Sequence, residues 1–135
     1  MNPALAQWSL VILVAGGGVG AALRYLVDTL LRERAGLAAG TSTMLVNTLG
    51  CLAAGVGGAG LVITALDTSQ QWPFTALIAL CAGFTTFSTA SLDAWRALAE
   101  RSFGRAAAWT AGQLLACGVA FTLAYGLTHT LAAAR

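Results

Sequence analysis

Residues 11–25 read VILVAGGGVGAALRY, and two incompatible folds can be built on them. Gly16, Gly18 and Ala21 satisfy G-x-G-x-x-A after an apolar, strand-like run, the opening of a dinucleotide-binding fold. That fold needs strands and helices to alternate, with an acidic residue about 20 positions further on. Here residues 35–66 form another unbroken apolar run, so the alternation fails. In lipid the same glycines have a better use. There is little hydrophobic force between helices in a membrane, and small residues let backbones approach closely. Gly16 and Gly20 form G-x-x-x-G, and Gly50, Ala54, Gly57, Gly58 and Gly60 continue the small-residue pattern further along. The stretch is therefore read as a packed membrane helix.

Composition agrees. Of the 135 residues, 58% are hydrophobic and 9% charged, and the mean hydropathy of +0.77 lies far from that of a soluble domain. Charge is absent from residues 1–23, 35–66, 68–92 and 106–134. Each run exceeds the roughly 20 residues that cross about 30 Å of hydrocarbon. The reading is a single all-α membrane domain over 1–135 with four transmembrane helices, at about 8–31, 42–66, 72–98 and 103–131. Residues 1–7 carry no positive charge and no cleavage pattern follows a short apolar core, so the first span is not read as a signal peptide. Trp8, Trp72 and Trp109 fall near predicted helix ends as interfacial anchors, with Trp95 near the third exit. Seven arginines and no lysine, scattered, do not suggest nucleic acid. Cys51, Cys81 and Cys117 fall mid-helix without a C-x-x-C pair or a nearby histidine, and are read as small packing residues. His129 is read as an interfacial polar tip.

The third run contains GFTTFSTAS at 83–91, five hydroxyls in nine residues. Serine and threonine commonly bond back to the carbonyl one turn earlier. Hydroxyls at 85, 86, 88, 89 and 91 cover every face of a helix, however, so some are expected to meet another subunit, a cavity or an ion. Gly83 just before them favours a break, and irregular backbone at membrane depth is tolerated only where protein or water covers it. The expectation is an ion-handling break in the third helix. Asn47, one turn into the second span, adds an amide that either bonds a neighbouring helix or donates to an anion. Phe84 and Phe87 add aromatic edges, which carry the positive part of the ring quadrupole. Weak donors of these kinds suit a small hard anion in passage, because none would hold it too tightly.

GGGVGAALRY at 16–25, GTSTMLVNTLG at 40–50 and GFTTFST at 83–89 occur in that order along the chain. With these motifs the chain resembles the Fluc (CrcB) family of fluoride channels over essentially its whole length. The resemblance implies a dual-topology dimer of two antiparallel four-helix subunits, with two fluoride pathways at their interface and a structural sodium ion at the centre. By position, Asn47 would be the pore asparagine, Phe87 the first of two pore phenylalanines, and Arg24 the vestibule arginine. Thr86, Ser88, Thr89 and Gln113 would join the pathway, and carbonyls of Ala82 and Thr85 from both subunits would hold the sodium. Two departures stand out. Ala90 occupies the second phenylalanine position, and the family's polar track on the fourth helix falls on Trp109, Gln113 and Cys117, of which only Gln113 is strongly polar.

The implied function is passive efflux of cytoplasmic fluoride across a prokaryotic plasma membrane, giving fluoride resistance and no catalysis. A small multidrug-type exporter would want a glutamate in the first helix, where no acid precedes Asp28. A non-conducting or pore-degenerate subunit remains open because of Ala90. Arg32, Arg34, Arg96, Arg101 and Arg105 fall on the side of loops one and three, against Arg135 on the other. That positive-inside bias favours a paralogous heterodimer over a dual-topology homodimer.

Overall fold

The computed structural model describes the backbone of residues 3–65 and 68–134 and the side chains of 10–65 and 69–134. The Trp8 ring, Leu66, Asp67 and Arg135 lie outside the described residues. Five α-helices follow in order: α1 (Pro3–Glu33), α2 (Ala39–Ile63), α3 (Trp72–Phe84), α4 (Phe87–Ala99) and α5 (Phe103–Ala133), with one 3₁₀ turn at Thr68–Gln70. No strand occurs among the described residues, so the dinucleotide fold is absent there. Among the described residues four segments are long and apolar enough to cross a membrane: Leu10–Glu33, Ala39–Ile63, Trp72–Ala99 and Phe103–Ala133.

The second helix lies N-terminal of its expected 42–66 window. Its C-terminus is fixed at Thr64, whose backbone N–H and hydroxyl both donate to the Gly60 carbonyl at 3.0 and 2.8 Å. A helix end leaves carbonyls without partners, and this cap engages one of them.

α1 packs chiefly on α3, and α2 on α5, with α4 joining α5. The small residues make the first contact possible. A Cβ on Gly20 would overlap the Leu80 carbonyl, and one on Gly83 would overlap the Gly17 carbonyl. Gly83 is thus a packing residue inside α3, and its place in the sequence before the hydroxyls is no sign of a break at that residue. Gly18, by contrast, has nothing within 4 Å of such a Cβ. The glycine that a nucleotide fingerprint would need most faces open space, while the G-x-x-x-G partner is in contact.

Contacts near the ends fix the arrangement. The Ser42 hydroxyl donates to Asp28 Oδ1 at 2.6 Å, the Thr43 hydroxyl donates to Asp93 Oδ2 at 2.7 Å, and Gly40 lies against the Trp109 ring. The loop between α1 and α2 and the loop between α4 and α5 therefore sit at one end of the bundle. Trp109 is partly buried against Gly40 there, so it packs between helices as well as lying near a helix end. Trp72 and Trp95 are exposed, as anchors would be.

Candidate functional site

The third apolar segment carries α3 and α4, and between them Thr85 (φ −83°, ψ 152°) and Thr86 (φ −146°, ψ 119°) are extended. Two residues of α2 account for that geometry. The Asn47 amide grips the Thr86 backbone from both sides: Nδ2 donates to the Thr86 carbonyl at 2.9 Å, and Oδ1 accepts from the Thr86 N–H at 2.7 Å. One turn on, Gly50 faces Thr85, whose Cγ2 would stand 2.5 Å from any Cβ there. The N-x-x-G spacing places both residues on one face of α2, the first to hold the extended pair and the second to admit it. Asn47 is itself 4% exposed. Since one Nδ2–H and Oδ1 are spent on Thr86, the amide keeps one donor for anything else.

The five hydroxyls are all engaged locally. Thr85 and Ser91 donate back to Cys81 and Phe87 carbonyls at 3.0 and 2.9 Å. Thr86 is the N-cap of α4, its Oγ1 accepting from the Thr89 N–H at 3.2 Å. The Thr89 hydroxyl lies 3.1 Å and the Ser88 hydroxyl 3.3 Å from that same oxygen. Their crowding therefore does not require an ion or a second subunit, contrary to the sequence argument; capping an internal helix start accounts for it.

That capping has a consequence for the backbone. In a continuous helix the Thr86 N–H would bond the Ala82 carbonyl, and the Thr89 N–H the Thr85 carbonyl. Here the first goes to Asn47 and the second to the Thr86 hydroxyl. Ala82 and Thr85 carbonyls are left as hard oxygen donors, of the type an alkali or alkaline-earth cation takes. The donor set fits the sodium expected there.

Beside the extended pair an open groove of about 240 Å³ is lined by Asn47, Thr86, Phe87, Ala90, Gln113 and Cys117, with Cys51, Thr85 and Leu114 completing it. Phe87 is 85% exposed on its rim. Ala90 lines its wall. The Gln113 amide donates to Cys117 Sγ at 3.4 Å. Ser88 is exposed and forms no part of this groove. Thr89 lies on the other side of Thr86, in a narrow gap shared with Arg24, Asp28, Thr43 and Val46. Arg24 is partly buried, and among the described residues no hydrogen bond or ion pair engages its guanidinium. Thr86 borders both spaces.

Sequence reasoning missed Asp93. It is 2% exposed, accepts from Thr43, and has Arg96 NH1 3.7 Å from Oδ1, an atom without a hydrogen-bond partner among the described residues. Thr43 is four residues before Asn47, hence on its face of α2. That spacing marks Thr43 as facing the same side as Asn47, but nothing in it points to Asp93.

Buried polar contacts among four apolar crossings, with one interrupted segment bordered by a groove, define a multi-pass membrane protein of the channel or transporter class. The chain belongs to the CrcB family: the model for "CrcB-like protein, Camphor Resistance (CrcB)" matches residues 11–126. Its relatives include proteins named fluoride-specific ion channel FluC. That of Rhodospirillum centenum is 36% identical over 78% of this chain and 83% of its own length. That of Methylobacterium nodulans is 35% identical over 84% and 92%, and that of Solibacter usitatus 31% over 69% and 75%.

Proposed function

We propose that this chain forms a fluoride-selective channel through which cytoplasmic fluoride leaves passively, and that it is not an enzyme. The observation that carries the reading is Asn47, clamped on Thr86 with one N–H to spare, at a groove whose rim is the exposed Phe87 ring. A fixed donor need not reorganise when an anion arrives, and an aromatic edge offers weak positive potential without a charge that would trap it. Arg24, unpaired beside Thr86, would raise the local anion concentration at the approach. Gln113 lines the far wall, Thr86 borders the route, and Thr89 and Ser88 reach it only through the Thr86 hydroxyl. The membrane in question is the plasma membrane of a prokaryote, as the bacterial relatives suggest.

A ring 85% exposed beside an open groove is an incomplete wall. The proposal therefore includes a second subunit packed antiparallel across it, with the segment 72–99 read as one broken transmembrane helix at the shared axis. A structural sodium ion would be held there by Ala82 and Thr85 carbonyls of both subunits, neutralising oxygens that the helix no longer satisfies. Ala90 in the groove wall favours a second reading beside the first: this chain is the pore-reduced member of a paralogous heterodimer.

The test is fluoride efflux from liposomes holding the purified chain alone, with cysteine labelling of a terminus in cells. Rapid efflux with labelling from both sides supports the homodimer. One-sided labelling with efflux only when a paralogue is added supports the heterodimer. No efflux with either would end the channel reading.

A further inference from the structure

α2 and α5 run side by side in the same direction. Gly40 meets the Trp109 ring, Met44 meets Gly112, and Gly55 meets the Phe121 carbonyl, so the register advances in step along both helices. It brings Cys51 of α2 level with Cys117 of α5. Both thiols line the groove and both are partly exposed. Cys81 is buried, 3% exposed, and does not line the groove. Packing alone gives no account of two thiols level with each other on neighbouring helices and lining one accessible groove.

We infer that Cys51 and Cys117 form a two-coordinate site for a soft d¹⁰ cation, such as monovalent copper, silver or mercuric ion, and that filling it closes the groove to fluoride. Ligand chemistry selects that class. Thiolates prefer soft ions, and among the described residues no group of three or more His, Cys, Asp or Glu gathers to complete the four-coordinate shell that zinc takes. Two sulfurs suit a linear ion. The Gln113 amide N–H donates to Cys117 Sγ and fixes that side chain at the groove wall. On binding, two S–H bonds break, the ion gives up two water or chloride ligands, two metal–sulfur bonds form, and two protons pass to water; no electron is transferred. Binding stands on the groove itself, whereas the block of passage rests on the channel reading above.

Mercuric chloride is the probe, applied to the purified protein and to the same protein in fluoride-loaded liposomes. The wild type should take up one mercuric ion per chain, lose two of its three titratable thiols, and fall to the leak rate of empty liposomes. Cys51→Ser and Cys117→Ser should each weaken mercury binding roughly 100-fold or more, the intramolecular advantage of a second ligand, and Cys81→Ser should not. Where a serine variant fails to fold, the alanine variant repeats the test. Equal mercury affinity in a folded Cys51 or Cys117 variant would overturn the site. Undiminished efflux with both thiols consumed would overturn the block. Should the wild type pass no fluoride before mercury is added, either alone or with its paralogue, the channel reading fails, and the thiol count alone decides the site.

Discussion

Asn47→Asp separates the two jobs given to Asn47. The substitution keeps the shape and keeps Oδ1 as acceptor for the Thr86 N–H, but replaces the Nδ2 donor by an oxygen that faces the Thr86 carbonyl at about the present 2.9 Å. Losing that bond while leaving its buried partner unsatisfied costs about 1–3 kcal/mol of stability. Its effect on passage is larger. A fluoride ion arriving near 4 Å from the new carboxylate meets a like-charge repulsion of about 4 kcal/mol at an effective dielectric near 20. That lowers the rate roughly a thousand-fold.

Asn47→Ala serves as the companion, because it orphans both Thr86 backbone groups but adds no charge. The assay is fluoride efflux from liposomes, with thermal unfolding in detergent as the control for folding. The expected order is wild type, then Ala, then Asp, with Ala destabilised at least as much as Asp. A well-folded Asn47→Asp protein with wild-type efflux would refute the placing of Asn47 on the pathway. Equal loss of efflux in both variants would mean that Asn47 acts by holding Thr86 and not by donating to the ion.

Further substitutions test the frame around it. Thr43→Val removes the hydroxyl that serves the buried Asp93, and should lower stability by about 1.5–3 kcal/mol, the range for a hydrogen bond to a charged group; an unchanged melting temperature would contradict that. Arg101 has φ 55° just past α4, where its N–H bonds the Leu98 carbonyl and the next N–H, from Ser102, bonds Ala97. Arg101→Gly should therefore stabilise by about 1 kcal/mol, read as a raised melting temperature. Gly20→Ala should cost about 1–3 kcal/mol through overpacking on Leu80, whereas Gly18→Ala should be near neutral; the reverse order in thermal unfolding would undo the packing account of α1.

The four crossings were legible because hydrocarbon permits so few alternatives: a charge-free run of that length has to satisfy its backbone internally. The third apolar segment departs from helical geometry at Thr85 and Thr86, and the reason lies outside it. Gly83 marks contact with α1, and the extended pair is held from outside by Asn47 and Gly50. A side chain 39 positions away taking the Thr86 N–H leaves no local trace in residues 83–91. The same limit applies to Thr43 with Asp93, 50 positions apart, and to Cys51 level with Cys117. Periodicity reports which face of a helix a residue occupies; it does not report the register between helices. Cysteines read singly as packing groups become a pair only once that register is fixed.

The charged end of the bundle bears on how the chain is inserted. Asp28 takes Arg32 at 3.0 Å, Asp93 lies 3.7 Å from Arg96, and Glu100 pairs with Arg105 at 2.6 Å. If net charge governed orientation, these pairs would cancel much of the bias and leave the chain free to insert either way. Orientation follows the count of Lys and Arg near the span ends, however, and acids contribute little. The acids also act within the folded bundle: Asp28 and Asp93 bind hydroxyls of α2 as well as arginines. Five arginines therefore count on the side of loops one and three, whichever acids they pair with in the fold. The pairing stabilises the folded end without softening the bias, and on the proposed heterodimer reading that bias is what calls for a partner of opposite orientation.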